Sequence, residues 1–435
     1  MRKGVPVVDI CVYLGQNPPV KLVTYRLPEI PEGYDFDVCT AEALVGRTMA
    51  VDGRLTLPTG ISYSLLVIQR NNDMPLHVLR HIAGLVKGGV IVCGPRPDGS
   101  DSLKDKAESE EYRALVDELW GELTTVSQIR KVGKGKIYEN IPLSEVLKYE
   151  NIRPDIAIKS GNTAKDKVYF VHRRLSDADV YFLNNHSDRA FHDTIRLRTD
   201  ARQAEYWDAV TGQRYMIPVK ASGEKGMLLN LPLAPRESGF IVTSNNQATG
   251  LLPRIADVQE TITPIEGSWN VYFDPRWGGP GKVVFDELID WTVHADTGIR
   301  YYSGTAVYHK ELNLAIPAQN ERLLLRFPRL GSLARVWVNG KEVVTVWCSP
   351  WEADITSYVH EGKNNLKIEV VNSLMNRMIG DASLPESERF TYAYPQIATP
   401  TDKLVPSGIM EQLNSVYRQC QYQENAFTYQ SGTKH

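Results

Sequence analysis

The strongest constraint on the fold is a change in the sequence pattern at about residue 167. Before this point, apolar runs alternate with amphipathic segments. Four consecutive ones are "YSLLVIQ" (63–69), "PLHVLRHIAGLVKGG" (75–89), "VIVCG" (90–94) and "SEEYRALVDELWG" (109–121). Strands that alternate with helices at this spacing predict a parallel α/β layer over about 34–160. Beyond residue 167 the pattern shows short strands separated by turn residues, which predicts all-β structure.

Two regions share this all-β pattern. "KVYFVHRRL" (167–175), "DVYFLNNHS" (179–187) and "SGFIVTSN" (238–245) predict a small antiparallel β-domain over 161–250. Farther along, alternating apolar residues over 333–338 run into Asn339-Gly340, the favoured pair for a two-residue hairpin turn. This pattern predicts a β-sandwich over 251–410, followed by a polar tail over 411–435 that lacks periodicity. The chain is therefore expected to be a multidomain α/β plus all-β protein.

Composition excludes several classes of function. The 49 basic and 52 acidic residues give a net charge of −3, which argues against broad binding to nucleic acid or anionic lipid. The sequence has no apolar run of 18 residues, so no transmembrane helix is expected. At the N-terminus, Pro6 and Asp9 interrupt the apolar run over 5–14, and no signal-peptide cleavage pattern follows. The five cysteines lack metal-ligand spacing and predict free, buried thiols.

One candidate ligand site lies near the N-terminus. Asp9 interrupts an otherwise apolar strand, and a carboxylate there needs a polar cleft or a partner. The following loop contains "EGYDFD", with Tyr34, Asp35 and Asp37. In parallel sheets, ligands bind at the C-terminal ends of strands and in the loops beyond them, so these side chains are candidate substrate contacts. The alternative is that Asp35 and Asp37 cap a helix that begins near Thr40.

The aromatic residues suggest a second kind of site. The chain contains 21 Tyr and eight Trp, and flat amphipathic rings are suited to stacking on sugars. Trp291 and Trp351 are weak candidates for glycan contacts, although β-rich proteins are rich in aromatic residues for packing reasons alone. Common nucleotide, zinc-protease and serine-hydrolase motifs are absent, so the sequence identifies no catalytic residue and no metal ligand.

Several segments resemble a known enzyme family. "GSWNVYFDPRWGGP" (267–280), "WEADITSYVHEGKNNLKIEVVN" (351–372) and "NRMIGD" (376–381) resemble the galactose-binding-like, jelly-roll sandwich of glycoside hydrolases. Upstream, "GYDFDVCTAEALVGRTMAVDGRLTLPTGISYSLLVI" (33–68) resembles the amidotransferase-like, flavodoxin-like α/β domain of α-L-rhamnosidases of glycoside hydrolase family 106. "VPVVDICVYLG" (5–15) resembles the last part of that family's catalytic barrel.

The resemblance implies a domain order and a function. Residues 1–33 would be a remnant of the barrel, 34–160 the amidotransferase-like domain, 161–250 the small β-domain and 251–410 the sandwich. Family members hydrolyse terminal α-L-rhamnosides in polysaccharides and usually act in the periplasm or outside the cell. Their catalytic glutamates match no position here, which implies that this chain alone is not catalytic. A separately encoded catalytic barrel would then be a partner, beside a rhamnose-containing glycan.

Two other functions stay open, namely a stand-alone carbohydrate-binding module and purely structural accessory domains. The family also uses calcium to hold the sugar. Since this chain offers no recognisable calcium loop, no cofactor is expected here, and calcium is expected only for the complete family enzyme. Arg377 and Asp381 lie close enough in sequence to form a structural ion pair.

Overall fold

The structure, a computed structural model, describes residues 3–15, 27–69, 74–100, 109–122, 126–161, 167–223, 226–246, 251, 259–393 and 397–419. The chain forms two compact units, Met1–Arg254 (unit 1) and Ile255–His435 (unit 2). Within the described ranges, no helix has the length and apolar character needed to cross a membrane. Cys420 and residues 421–435 of the predicted polar tail lie outside the described residues. The described part of that segment is not an aperiodic tail, because Asn414–Gln419 forms a strand paired on both sides in a sheet.

The described residues in the first part of unit 1 form ten strands and four helices. The strands are β1 Val5–Pro6, β2 Ile10–Tyr13, β3 Phe36–Cys39, β4 Met49–Val51, β5 Arg54–Thr56, β6 Ser62–Tyr63, β7 Leu65–Ile68, β8 Ile91–Cys93, β9 Gln128–Val132 and β10 Gly135–Glu139. The helices are α1 Ala41–Arg47, α2 Leu76–Lys87, α3 Ser109–Trp120 and α4 Leu143–Tyr149. This order of elements matches the predicted alternation of strands and helices.

A six-stranded sheet organises this part, with strand order β3-β2-β7-β8-β10-β9. All neighbouring pairs are parallel except β10 with β9. Both faces of the sheet are covered by apolar side chains, as fully apolar parallel strands require. Because β2 pairs with β3 and β7 in this sheet, the strand expected to be a separate barrel remnant is an integral strand of the α/β layer.

The second part of unit 1 is all-β. Its strands are β11 Ile156–Ile158, β12 Val168–Arg174, β13 Ala178–Asn185, β14 Phe191–Leu197, β15 Gln203–Asp208, β16 Arg214–Ile217, β17 Val219–Ala221, β18 Met227–Leu233 and β19 Ser238–Ser244. One sheet has the order β1-β12-β13-β19-β15-β16, and the other β11-β14-β18-β17. The two sheets share one apolar core, and β1 joins the first of them from the N-terminus.

Unit 2 is also built mainly of strands. They are β20 Glu260–Pro264, β21 Trp269–Phe273, β22 Gly281–Phe285, β23 Thr305–Leu314, β24 Glu321–Arg326, β25 Leu333–Val338, β26 Lys341–Val346, β27 Glu352–Asp354, β28 Gly362–Val371 and β29 Asn414–Gln419. The helices are α5 Thr297–Arg300 and α6 Met375–Asp381, with 3₁₀ turns at Pro275–Trp277, Trp291–Val293, Thr356–Tyr358 and Glu386–Glu388.

The strands of unit 2 form two sheets around one core. A six-stranded sheet has the order β22-β21-β23-β28-β25-β26, and a four-stranded sheet the order β20-β29-β24-β27. Inward-facing residues of both sheets form a single hydrophobic cluster. The predicted hairpin is confirmed, since Asn339 and Gly340 have φ angles of 51° and 79° between the paired strands β25 and β26.

Candidate functional site

A large cleft of unit 1 is polar and strongly charged. It has a volume of about 1230 Å³ and is lined by residues of the α/β layer and of the all-β part. Among its lining residues are equal numbers of arginines and aspartates: Arg54, Arg153, Arg174, Arg198, Asp9, Asp177, Asp179 and Asp200. Of the described residues that line the cleft, none is a glutamate.

Asp9 is the predicted site residue that lines this cleft. It immediately precedes β2 and is buried. Its carboxylate accepts two hydrogen bonds from Arg198, at 2.7 and 3.2 Å, and a third from the Ser64 hydroxyl at 3.1 Å. Arg54 in turn donates to the Ser64 hydroxyl at 2.8 Å. The charge that interrupts the apolar strand is therefore neutralised by a bidentate ion pair.

His172 lies beside this pair and is fully buried in β12. Its Nδ1 lies 2.9 Å from an Asp155 carboxylate oxygen, and its Nε2 lies 3.0 Å from Asp179. The ring stacks on Tyr181 with centroids 3.9 Å apart. Because carboxylates only accept hydrogen bonds, a ring that donates from both nitrogens fits this position, and that ring is the imidazolium.

The pKa values follow from these contacts. Burial opposes the charged form of His172, but the hydrogen bonds to Asp155 and Asp179 outweigh burial and raise its pKa above 6.5. Burial likewise opposes ionisation of Asp179. The donors His172 and Thr199 overcome this effect and lower the pKa of Asp179 to about 2. Thr199 donates to Asp179 at 2.7 Å. Asp179 is therefore a permanent anion at neutral pH and cannot serve as a proton donor there.

Asp155 connects the two ion pairs. It accepts a hydrogen bond from Arg198 Nε at 3.2 Å as well as from His172. A backbone contact positions it, since the Asp155 N–H donates to the carbonyl of Gly33 at 2.8 Å. Gly33 has a φ of +80°, and a Cβ on it would lie 2.0 Å from the carbonyl oxygen of Ile156. Glycine is therefore required for this approach.

The structure places the other loop candidates near Asp9 but outside the lining of the cleft. The Tyr34 hydroxyl donates to the carbonyl of Ile152 at 2.6 Å. Asp35 accepts from the Phe36 N–H at 2.9 Å, and Asp37 accepts from the Tyr63 hydroxyl at 2.9 Å. All three side chains therefore make contacts within the protein.

Two expectations about this loop are wrong. Tyr34 and Asp35 precede β3, which runs parallel to β2, so they lie with Asp9 at the N-terminal edge of the sheet and not at the C-terminal edge. The chain crosses over between β2 and β3, which the sequence pattern did not reveal. The capping alternative also fails, because the helix that begins at Ala41 is capped by Thr40, whose hydroxyl accepts from the Ala43 N–H.

Asp35 has an unusual acidity. Burial raises its pKa to about 6, opposed by its hydrogen bond from Phe36 and reinforced by the negative charges of Asp37, Asp155 and Asp9. A carboxyl group with this pKa can exchange a proton near neutral pH. Asp35 does not line the cleft, so its carboxyl group does not face the cleft interior.

The two tryptophan candidates lie in unit 2. Trp291 is fully buried, its indole N–H donates to the Tyr308 hydroxyl at 2.7 Å, and its ring meets Phe273 edge to face. Contrary to expectation, it presents no ring face to a glycan, because the whole side chain is buried in the core of unit 2. Trp351 is half-buried and packs against the same core, so its contact with a glycan stays a prediction.

Sequence reasoning missed most of the charged cluster, namely Arg54, Asp155, His172, Asp179, Arg198 and Thr199. One signal was present in "VYFVHRRL". His172 occupies an inward-facing position of β12, in line with the buried Val168, where an ionisable side chain needs a buried partner. The partners themselves come from distant parts of the chain and leave no local pattern.

Metal binding receives no support from the described ranges, which contain no group of three His, Cys, Asp or Glu side chains able to hold an ion. Burial raises the pKa of the Cys93 thiol, and this cysteine is free and buried at the end of β8, as expected for the cysteines of this chain. The expectation of calcium concerns the complete family enzyme and stays a prediction.

Comparison with known proteins defines the class. Residues 1–220 match the model of the α-L-rhamnosidases, glycoside hydrolase family 106. Residues 256–414 match the sugar-binding domain of glycosyl hydrolases family 2. The fold and these matches define a glycoside-hydrolase-type protein with a sugar-binding domain.

Two individual proteins extend this result. The structure of a rhamnosidase from Novosphingobium sp. PP1Y is 28% identical, with a TM-score of 0.72, and the match covers 95% of this chain and 39% of that one. A "putative beta-glucuronidase" of Formosa agariphila is 21% identical, over 88% of this chain and 51% of that protein. This chain thus spans about half the length of the curated relative. It belongs to the α-L-rhamnosidase family, glycoside hydrolase family 106.

Proposed function

We propose that this chain is the C-terminal, non-catalytic part of an α-L-rhamnosidase that hydrolyses terminal α-L-rhamnosides in polysaccharides. The observation that carries the proposal is the state of Asp9 and Asp179, the two of the four cleft aspartates that are not exposed. Asp9 is bound by Arg198, and Asp179 is bound by His172, Arg174 and Thr199. Both are engaged in structural ion pairs and have no free role in acid–base chemistry.

Glycoside hydrolysis with inversion requires a protonated carboxyl group on one side of the bond and a free carboxylate about 6.5–9.5 Å away. Asp179, with a pKa of about 2, does not meet the first requirement. The bidentate contact with Arg198 blocks both oxygens of Asp9. In this proposal the catalytic acid and base belong to the barrel of the complete enzyme, carried on the same or a separate polypeptide. Calcium, if used, binds there as well.

The finer identity of the layers is part of the same proposal. The parallel sheet of unit 1 corresponds to the amidotransferase-like α/β domain of the family, and the two sheets of unit 2 to a galactose-binding-like sandwich. The ion pairs of the cleft would then fix the α/β layer and the small β-domain of unit 1 against each other. Arg198 makes this link directly, because it contacts both Asp9 and Asp155.

An activity assay tests the proposal. The purified chain is incubated with p-nitrophenyl α-L-rhamnoside, with an active family member as the positive control. We expect no nitrophenol release above the buffer rate. Release of rhamnose by the wild-type chain that is lost in Asp9→Asn or Asp179→Asn would overturn the proposal, because these carboxylates would then be catalytic.

A second function, carbohydrate binding without hydrolysis, is favoured by one specific observation. Residues 256–414 match a sugar-binding domain, and they cover nearly all of the described part of unit 2. Binding of soluble polysaccharide by the purified chain would support this function, whereas its absence would favour purely structural accessory domains.

A further inference from the structure

The outer face of the six-stranded sheet in unit 2 carries an ordered row of side chains. The strand register places one outward residue of each strand side by side across the whole sheet. In spatial order the row is Val284, Asn270, His309, Lys367, Trp337 and Glu342. Neighbouring strands lie about 4.8 Å apart, so the row is about 24 Å long. This length suits an extended oligosaccharide better than a single sugar.

Two adjoining grooves follow this row. One has a volume of about 500 Å³ and includes Trp337 and Lys367, and the other has a volume of about 540 Å³ and includes Tyr272 and Val284. Both grooves are lined by Asn270 and His309, which makes them one continuous depression, termed the sheet groove below.

The sheet groove combines an apolar surface with free polar groups. Tyr272 is 40% exposed and Val284 is 60% exposed. Asn270 and His309 are exposed side by side next to Val284, and their side chains make no hydrogen bond with any described residue. A sugar ring has an apolar face of C–H groups and an edge of hydroxyls, so an open aromatic ring beside unused amide and imidazole groups matches its chemistry.

The two aromatic rings of the sheet groove differ in availability. The ammonium of Lys367 lies 3.6 Å from the centroid of the Trp337 ring, and the Arg335 guanidinium lies 5.6 Å from it. These cations occupy the ring as cation–π partners. No cation of the described residues lies over the Tyr272 ring, which is therefore the ring on which a sugar can stack.

We propose that the sheet groove is a glycan-binding site, in which Tyr272 stacks on a sugar ring while Asn270 and His309 hydrogen-bond to its hydroxyls. The family-level match of residues 256–414 to a sugar-binding domain gives the ligand class without giving the position of the site. This proposal rests on the second proposed function, carbohydrate binding by residues 256–414, and gives that function a site; it involves none of the residues of the cleft in unit 1. Polysaccharide binding that survives in Tyr272→Ala and in Asn270→Ala/His309→Ala would reject this site and leave carbohydrate binding itself intact.

The experiment measures retardation of the full-length chain in native gels that contain soluble polysaccharide. The probes are rhamnogalacturonan, arabinogalactan, xylan and dextran, each in its own gel. We expect the wild-type chain to be retarded by at least one of them. Tyr272→Ala should weaken that retardation roughly ten-fold, equivalent to about 1.4 kcal/mol of binding free energy. Tyr272→Phe, which keeps the ring, should retain most of the binding.

Two further variants complete the test. The double variant Asn270→Ala/His309→Ala should also lose binding, because it removes the hydrogen-bonding groups and keeps the ring. Tyr392→Ala is the matched control, since Tyr392 is 81% exposed and lies outside the sheet groove. Circular dichroism and thermal unfolding establish that each variant is folded. Wild-type retardation in Tyr272→Ala and in the double variant would overturn the proposal, as would the absence of any retardation of the wild-type chain.

Discussion

Single ionisable residues in apolar strands identify the charged cluster of unit 1. Asp9 precedes a strand whose residues are all buried, and His172 faces inward in β12. Both are ionisable groups placed where an unpaired charge would be costly. Arg198 resolves the first case, and Asp155 and Asp179 resolve the second. The two buried ionisable residues therefore belong to one network, because Arg198 contacts both Asp9 and Asp155 and Asp155 contacts His172.

The pKa of His172 predicts a pH dependence of stability. The folded protein keeps the proton on this ring at a pH where the unfolded chain, with a pKa near 6.5, has released it. The contribution of His172 is therefore complete below pH 6.5 and is lost as the pH rises through its folded value. Over that interval the free energy of unfolding should fall by up to about 1.4 kcal/mol per pH unit. Urea unfolding at pH 6.5–8.5 measures this slope.

The matched variants for this prediction are His172→Asn and His192→Asn. His192 lies exposed in β14 of the same unit, and its replacement should leave the slope intact. His172→Asn should remove the slope. Asp35 does not contribute to this slope. Because its pKa is raised to about 6 in the folded protein, its effect on the free energy of unfolding is lost as the pH rises from about 4 to 6. A slope that persists in His172→Asn would show that another group is responsible.

A second residue pair tests the cost of buried charge in unit 2. Arg377 Nε lies 3.1 Å from Asp381 on the helix Met375–Asp381, and both side chains are at least 94% buried. The predicted ion pair is therefore confirmed and is buried. Arg377→Met should cost about 3–5 kcal/mol, because it leaves the Asp381 carboxylate buried without its cation. Lys363→Met is the control, since the Lys363–Glu311 pair is exposed and screened by solvent, and its loss should change stability only slightly. Equal costs in urea unfolding would contradict this assignment.

At the scale of elements, the positions of strands and helices in the chain were largely predictable. Which strands pair with each other in a sheet was not. The helix Leu76–Lys87 and the hairpin at Asn339-Gly340 follow from periodicity and turn chemistry, which are local properties. The position of β2 between β3 and β7 depends on crossover connections, which periodicity does not encode. For this reason the loop with Tyr34 and Asp35 was predicted at the wrong edge of the sheet, while the buried strand itself was predicted correctly.

Gly33 shows how one backbone position fixes the contact between two elements. An alanine there would be strained by the positive φ and would also collide with the carbonyl of Ile156, the first residue of β11. Gly161 provides the matched control, because it has a φ of +77° and open space around it. Gly161→Ala should cost about 1 kcal/mol, and Gly33→Ala clearly more, because the backbone must shift and displace Asp155. Thermal unfolding compares the two variants, and equal losses would show that the close contact is unimportant.

At the scale of the whole molecule, the sequence indicated the number and kind of layers better than the function of any surface. The family resemblance rested on segments spread over both units, and the matches over 1–220 and 256–414 agree with it. The charged cleft and the sheet groove were not predicted, because each assembles side chains from several strands that are distant in sequence. Trp291 illustrates the opposite error, since its residue type suggested a surface role that burial excludes.

The two units have separate hydrophobic cores, which predicts that each unit unfolds separately. Leu229 is fully buried in the all-β core of unit 1, and Ile368 is fully buried in the core of unit 2. Truncating either to alanine should cost about 2–5 kcal/mol through the lost apolar contacts and the cavity left behind. Because a domain with its own core unfolds as a cooperative unit, the effect should be local. Hydrogen exchange followed by mass spectrometry should show faster exchange in unit 1 peptides for Leu229→Ala and in unit 2 peptides for Ile368→Ala. Faster exchange spread equally over both units in either variant would instead indicate that the chain opens as one cooperative unit.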